Sequence, residues 1–330
     1  MVDLITKLCA VCGPSGCEDD IRAFITKEVT PLADEVRSDA LGNLIVRKGP
    51  ADGFRIMLSA HMDEIGLVVT NIDKEGFLRF NFVGGISPHV LLGQRVRFTS
   101  GLVGSIGCEP VDDIKDVKPD RMYIDIGATS QAAAQQQVQL GDMCCYHHSL
   151  DQVGNRIISK ALDDRVGCAI LIATLRRLST TPNCVYFVFS TQEEVGLRGA
   201  RTAAYGVDPQ MGIAVDVTTA GDTPSAKPIP VELGKGAAIK VKDASLICAP
   251  AVRRLLVDAA KSHGIPYQME VLPAGGTDAG AMQATRAGVP AGGVSIPTRY
   301  IHTPAEMVDL GDVQACVDLL AAVVAQPVNI

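Results

Sequence analysis

From Lys160 onward the chain alternates helix-like and strand-like segments, and this alternation restricts the fold more than any other feature. Helical patterns run over 162–178, 250–263, 277–287 and 311–325, with strand patterns over 184–190, 211–217 and 290–296. Strands separated by helices in this way build a parallel sheet, because parallel neighbours need a long crossover. The N-terminal part agrees. Residues 2–12 and 19–30 read as amphipathic helices around the turn Gly13-Pro14-Ser15-Gly16, and short strands follow at 43–46 and 55–60. Between the two parts the texture changes. From about 67 to 159 short β-like runs at 66–72, 77–82, 94–99, 102–106, 122–126 and 143–146 are broken by Gly, Pro and Asp turns. One Gln/Ala-rich stretch at 130–137 is helical. The expected fold is α/β, with a mixed, mostly parallel sheet covered by helices. One domain is built from 1–66 and 160–330 and is interrupted by a β-rich, barrel-like insertion at 67–159.

A chain of 330 residues with 47% hydrophobic residues supports a full core. Its net charge of -7 and the lack of any Lys/Arg-rich run argue against nucleic acid as a partner. Met1-Val2-Asp3-Leu4 is acidic where a signal peptide is basic, and no apolar run reaches a membrane span, so a cytoplasmic protein is expected. The ten cysteines are scattered, several within apolar patterns, as free buried thiols are. Cys9-Ala10-Val11-Cys12 with Cys17 looks like a metal knuckle, but no second ligand pair stands at matching spacing.

The chemistry gathers at strand ends. Val185-Tyr186-Phe187-Val188-Phe189-Ser190 runs directly into Thr191-Gln192-Glu193-Glu194-Val195-Gly196. Two adjacent carboxylates at the end of a buried strand are costly to desolvate without a cation. His61 and Asp63 follow another apolar strand, Asp163-Asp164 open a helix, Asp216 ends Met211–Val215, and His302 follows the last strand. Each has a plain reading as a cap, a rim histidine or a solvated turn. In one sheet they converge on one crevice, and imidazole with carboxylate is the donor set of zinc and similar ions. His89, His147, His148 and His263 stay outside this pattern.

Several motifs then match a known family in order. His61-x-Asp63-Glu64-Ile65-Gly66, Asp163-Asp164-Arg165, Gln192-Glu193-Glu194-Val195-Gly196-Leu197-Arg198-Gly199, Val215-Asp216-Val217, Gly275-Gly276-Thr277-Asp278 and Arg299-Tyr300-Ile301-His302-Thr303 resemble the M42 dinuclear metalloaminopeptidases, the glutamyl- or tetrahedral-aminopeptidase group. The resemblance covers nearly the whole chain. It implies a dinuclear zinc exopeptidase-like fold with a PDZ-like β-barrel insert used for assembly, commonly into hollow tetrahedral dodecamers, and so a homo-oligomer. It implies two divalent ions per subunit, zinc or cobalt, bridged by Asp163. His61 and Asp216 complete one ion, and Glu194 and His302 the other. Asp63 orients the His61 ring, Glu193 is the general base, and the Asp163–Asp164 peptide is cis. The substrates implied are peptides, cut at their amino termini. Three rival readings stand beside it: another dinuclear hydrolase such as a deacylase or carboxypeptidase, a non-catalytic oligomeric binding protein, and, last, a Cys-His hydrolase.

Overall fold

In the computed structural model, which describes residues 1–226 and 228–330, an eleven-stranded sheet forms the larger part of the molecule. Across it run Glu35–Ser38, Leu44–Lys48, Cys184–Ser190, Arg55–His61, Met211–Thr219, Ala291–Arg299, Glu306–Asp309, Arg156–Ser159 and Asp151–Val153, while Ala237–Lys242 and Tyr267–Val271 extend from Ala291–Arg299. The four central strands, Cys184–Ser190 through Ala291–Arg299, are parallel. Their residues are buried almost end to end, which is why these strands read as continuous apolar runs rather than alternating ones. The helices Leu162–Arg177 and Leu310–Val324 pack together on the sheet, as do Arg198–Val207 and Asp278–Gln283. The expected α/β architecture is borne out.

Six strands, Gly66–Ile72, Leu78–Val83, Arg95–Phe98, Val103–Cys108, Met122–Asp125 and Met143–Tyr146, close into a separate antiparallel barrel. Its core is its own, built on Leu67, Val69, Phe80, Phe98, Ile106 and Ile124. The helix expected at 130–137 is shorter, Gln131–Gln135, with the Ser130 hydroxyl capping the Ala133 N–H. One boundary differs from the sequence reading. Residues 151–153 and 156–159, expected in the inserted segment, pair into the main sheet against Glu306–Asp309. They carry the same short-strand texture as the barrel, and their partner lies far along the chain. Among the described residues no helix is long and apolar enough to cross a membrane.

Register sets up the site. Ser190 stands opposite His61 at the carboxyl end of the Cys184–Ser190 and Arg55–His61 pair. On the other side the ladder with Met211–Thr219 stops at Ser59 and Ala214, two residues short of His61 and Asp216. The strands part where both carry polar side chains. A crevice at the carboxyl ends of parallel strands is the usual ligand position in such sheets.

Candidate metal centre

The turn after Cys184–Ser190 is fastened from several sides. Gln192 and Leu197 take left-handed φ values of 53° and 56°, and Gly196 one of 119°. Gly199 N–H donates to the Thr191 carbonyl at 3.0 Å, and Gly196 and Leu197 N–H both donate to the Glu193 carbonyl at 2.9 Å. Asn43 clamps the base of the turn: its Oδ1 accepts Thr191 N–H at 3.0 Å and its Nδ2 donates to the Gly199 carbonyl at 2.9 Å. A Cβ at Gly199 would run into Asn43 Oδ1 and the Thr191 backbone, so only glycine closes this loop.

On this turn the two glutamates diverge. Glu194 Oε2 lies 3.2 Å from His302 Nε2, whereas Glu193 Oε2 lies 4.0 Å from His61 Nε2. Asp163 reaches both imidazoles, with Oδ1 3.0 Å from His61 Nε2 and Oδ2 3.4 Å from His302 Nε2. Asp216 Oδ1 is 3.9 Å from His61 Nε2. Asp63 lies on the far side of the His61 ring: Nδ1 is 3.1 Å from its carbonyl and 3.5 Å from its carboxylate. Every residue named from the sequence, His61, Asp63, Asp163, Glu193, Glu194, Asp216 and His302, is thus in one place. The Asp163–Asp164 peptide is cis. His89, His148 and His263 bond elsewhere, to the Ile114 carbonyl, Gln94 and the Ala259 carbonyl.

The electrostatics are those of a pocket short of positive charge. Burial, reinforced by neighbouring carboxylates, pushes the Glu193 and Asp216 carboxyls well above the usual range. Burial and then the Asp163 charge do the same, more mildly, to Glu194. Burial works against a charged His302, yet Asp163 and Glu194 raise it to about 11. Two imidazoles cannot neutralise this many acids. The donor set, nitrogen plus carboxylate oxygen, suits divalent zinc or a similar ion. His61 with Asp163 and Glu194, and His61 with Asp164 and Asp216, each bring ligand atoms within reach of a single ion. A cavity of about 670 Å³ opens beside them, walled by Thr218, Ile229, Leu272, Pro273 and Ile301.

Several buried groups were given no role from the sequence, although Asp164 stood among the strand-end acids. Asp164 accepts the His61 N–H at 3.2 Å and the Gly167 N–H at 3.1 Å. Asp278 accepts the Ser59 and Ser190 hydroxyls at 2.6 and 2.5 Å, tying the strand that carries His61 to the strand that leads into the Glu193 turn. Glu306 accepts two backbone N–H groups of the site. Glu64, inside the His61 motif, is held by Lys160 Nζ at 2.7 and 2.8 Å and by Arg165 Nη2 at 3.3 Å. Its place directly after Asp63, at the end of a buried strand, is the one signal that could have marked it.

The free-thiol expectation is corrected at one pair. Cys12, just after the first helix, and Cys145, in the barrel strand Met143–Tyr146, form a disulfide, while Cys9, Cys17 and the other six cysteines are free. Spacing along the chain cannot show such a pairing across domains. Glu64 also lies within ligand reach of these two sulfurs, but the Lys160 ammonium already supplies the cation there.

The family described as M42 glutamyl aminopeptidase matches residues 42–319. A candidate aminopeptidase of Acetivibrio thermocellus is 49% identical over 97% of each chain. The solved aminopeptidase of the archaeon Desulfurococcus kamchatkensis superposes with a TM-score of 0.94 at 38% identity, covering 98% of this chain and 94% of that one. The TET1 peptidase of Pyrococcus horikoshii, which can assemble into a tetrahedron or a large octahedral shell, superposes with a TM-score of 0.90 at 35% identity over 98% and 99%. The chain belongs to the M42 glutamyl aminopeptidase family.

Proposed function

We propose that the chain is a metal-dependent aminopeptidase that removes N-terminal residues from peptides, with Glu193 as general base. The observation that carries this reading is the split of the glutamate pair. Glu194 sits against His302 and Asp163, while Glu193 stands beside His61 without closing on either histidine. Two divalent ions, zinc or cobalt, would be held by His61, Asp163, Glu194, Asp216 and His302, with Asp163 serving both. Metal bound there would supply polarisation of the scissile carbonyl and a water of lowered pKa. The chain's own residues do the rest. Glu193, whose carboxyl is held high by burial, takes the water proton and passes it to the leaving amine. The acidic surroundings favour the substrate's α-ammonium, which makes the cleavage amino-terminal. Asp63 fixes the imidazole of His61 from its Nδ1 side.

The barrel of residues 66–146 serves assembly in this reading. The ability of the Pyrococcus horikoshii peptidase to form closed shells supports a homo-oligomer here as well.

Glu193→Gln tests the assignment: metal content stays at the wild-type level while turnover falls by roughly two to four orders of magnitude. Unchanged turnover removes Glu193 from the base role. His61→Ala or His302→Ala lowers metal content instead. A panel of free-amino, N-acetylated and C-terminally blocked peptides separates the aminopeptidase from a deacylase or carboxypeptidase, because only the first requires the free amine.

A further inference from the structure

Glu306 begins the short strand Glu306–Asp309, opposite Ser159 in the antiparallel pair with Arg156–Ser159. It is 2% exposed. Its Oε2 accepts the backbone N–H of Asp163 at 3.0 Å, and its Oε1 accepts the backbone N–H of His302 at 2.9 Å. One carboxylate therefore spans the main chain of two residues that are far apart in sequence and whose side chains meet in the metal centre.

Both residues lie where regular secondary structure does not hold them. Asp163 has a non-helical φ/ψ of -75° and 105° at the start of its helix. His302 takes φ 63°, and Tyr300, two residues earlier, takes φ 61°. Non-glycine residues in the left-handed region are disfavoured and persist only where their surroundings over-determine them. Neither backbone N–H goes to a helix or sheet ladder. Both go to Glu306.

We infer that Glu306 is a positioning residue that sets the separation and orientation of Asp163 and His302, and so the affinity of the ion these two hold with Glu194. The inference rests on the metal-dependent reading above. It differs from the role of Asp63, which stands behind the His61 ring and holds the glutamate turn. Glu306 acts through the backbone alone and on two ligands at once, one of them the shared Asp163.

The test is cobalt titration of metal-free protein, followed by visible absorption and by metal analysis after gel filtration, with thermal unfolding of the metal-free form alongside. Glu306→Gln keeps the size of the side chain but turns an amide NH2 toward one of the two N–H groups. Wild-type protein is expected to take up two Co²⁺ per chain. Glu306→Gln binds the ion on the His302 side at least tenfold more weakly, within the range by which such outer partners tune a metal site, and the other ion more weakly by a smaller factor through the shared Asp163, at an unchanged unfolding midpoint. A purely structural role would lower the midpoint and leave both affinities alone, and that result overturns the inference. Should Glu306→Gln not fold, Glu306→Asp carries the same test, because its shorter stem cannot span both amides. Two unchanged affinities in that variant overturn the inference equally. Wild-type protein that binds no cobalt refutes the metal reading itself, whereas two tight sites in both wild type and variant refute only the role of Glu306.

Discussion

The Asp63 carboxylate accepts the backbone N–H of Glu193 at 3.0 Å through its Oδ1. Its other oxygen accepts the Glu194 N–H at 3.3 Å and the Ser15 hydroxyl at 2.6 Å. The residue that stands behind the His61 ring therefore also sets the direction of the turn that separates the two glutamates. Burial works against this carboxylate, yet the contacts with His61 and Ser15 hold it below the usual range, so it stays ionised and a pure acceptor.

Asp63→Asn should reduce turnover by roughly 10- to 100-fold, the range seen when such outer partners are changed. The asparagine NH2 group would face one of the two glutamate N–H groups and turn Glu193 away. Steady-state kinetics with parallel metal analysis checks this. Wild-type turnover would mean that the hydrogen bonds to the turn do not position the base.

Glu64 is the only carboxylate bonded to Lys160 and Arg165 among the described residues, and all three are buried. Lys160 donates to both of its oxygens, and Arg165 also donates to the Leu8 and Val11 carbonyls. Glu64→Gln leaves two cations without a counter-charge, and breaking such a buried set costs about 3–5 kcal/mol. Urea unfolding followed by circular dichroism measures it. A change below about 1 kcal/mol would show that the two cations find other partners.

The strand-end residues were legible because each interrupts an apolar run: His61 after Ile56–Ala60, Glu193 after Val185–Ser190, Asp216 after Met211–Val215. Desolvation cost makes a polar residue conspicuous there. Glu306 carried no such mark. Its strand is four residues long, no apolar run precedes it, and its partners are backbone amides, which every residue has. The helix Arg198–Val207 escaped for a related reason: its buried face is Gly199, Ala200, Ala203, Ala204 and Val207, mostly too small to register as an apolar stripe. The strands at 151–159 share the barrel's texture, and only pairing with Glu306–Asp309 assigns them to the sheet. Local pattern reveals what a residue must avoid, whereas long-range partnership has to be seen.

Asp312 provides a pH-dependent contribution. It is fully buried, and it accepts the Gly236 N–H on Oδ1 and the Gly234 N–H on Oδ2, each at 2.7 Å. Burial still lifts its carboxyl from 3.8 to about 6. The folded state then holds this proton more tightly than the unfolded chain. Its contribution to stability is present in full below about pH 4 and is lost as pH rises to about 6. At 1.36 kcal/mol per pH unit the loss is on the order of 3 kcal/mol. The stability difference between wild type and Asp312→Asn, measured by urea unfolding at several pH values, should therefore shift in favour of the variant between about pH 4 and 6 and level off above. A constant difference would show that the carboxyl titrates normally.

The Cys12–Cys145 bridge ties the end of the first helix to the barrel, across 133 residues of sequence. A cross-link closing a loop of that size removes unfolded-state entropy worth about 5 kcal/mol in the chain-entropy picture. It lies beside the Glu64–Lys160 pair rather than among the metal ligands, so its loss should spare metal content. Protein denatured without reductant should present eight titratable thiols, the free cysteines, of the ten in the chain. Reductant should lower the unfolding midpoint of wild type and leave that of Cys12→Ser unchanged. Ten reactive thiols in the unreduced protein would show the two sulfurs to be merely neighbours, and the reductant-dependent stability would then have to vanish with the bridge.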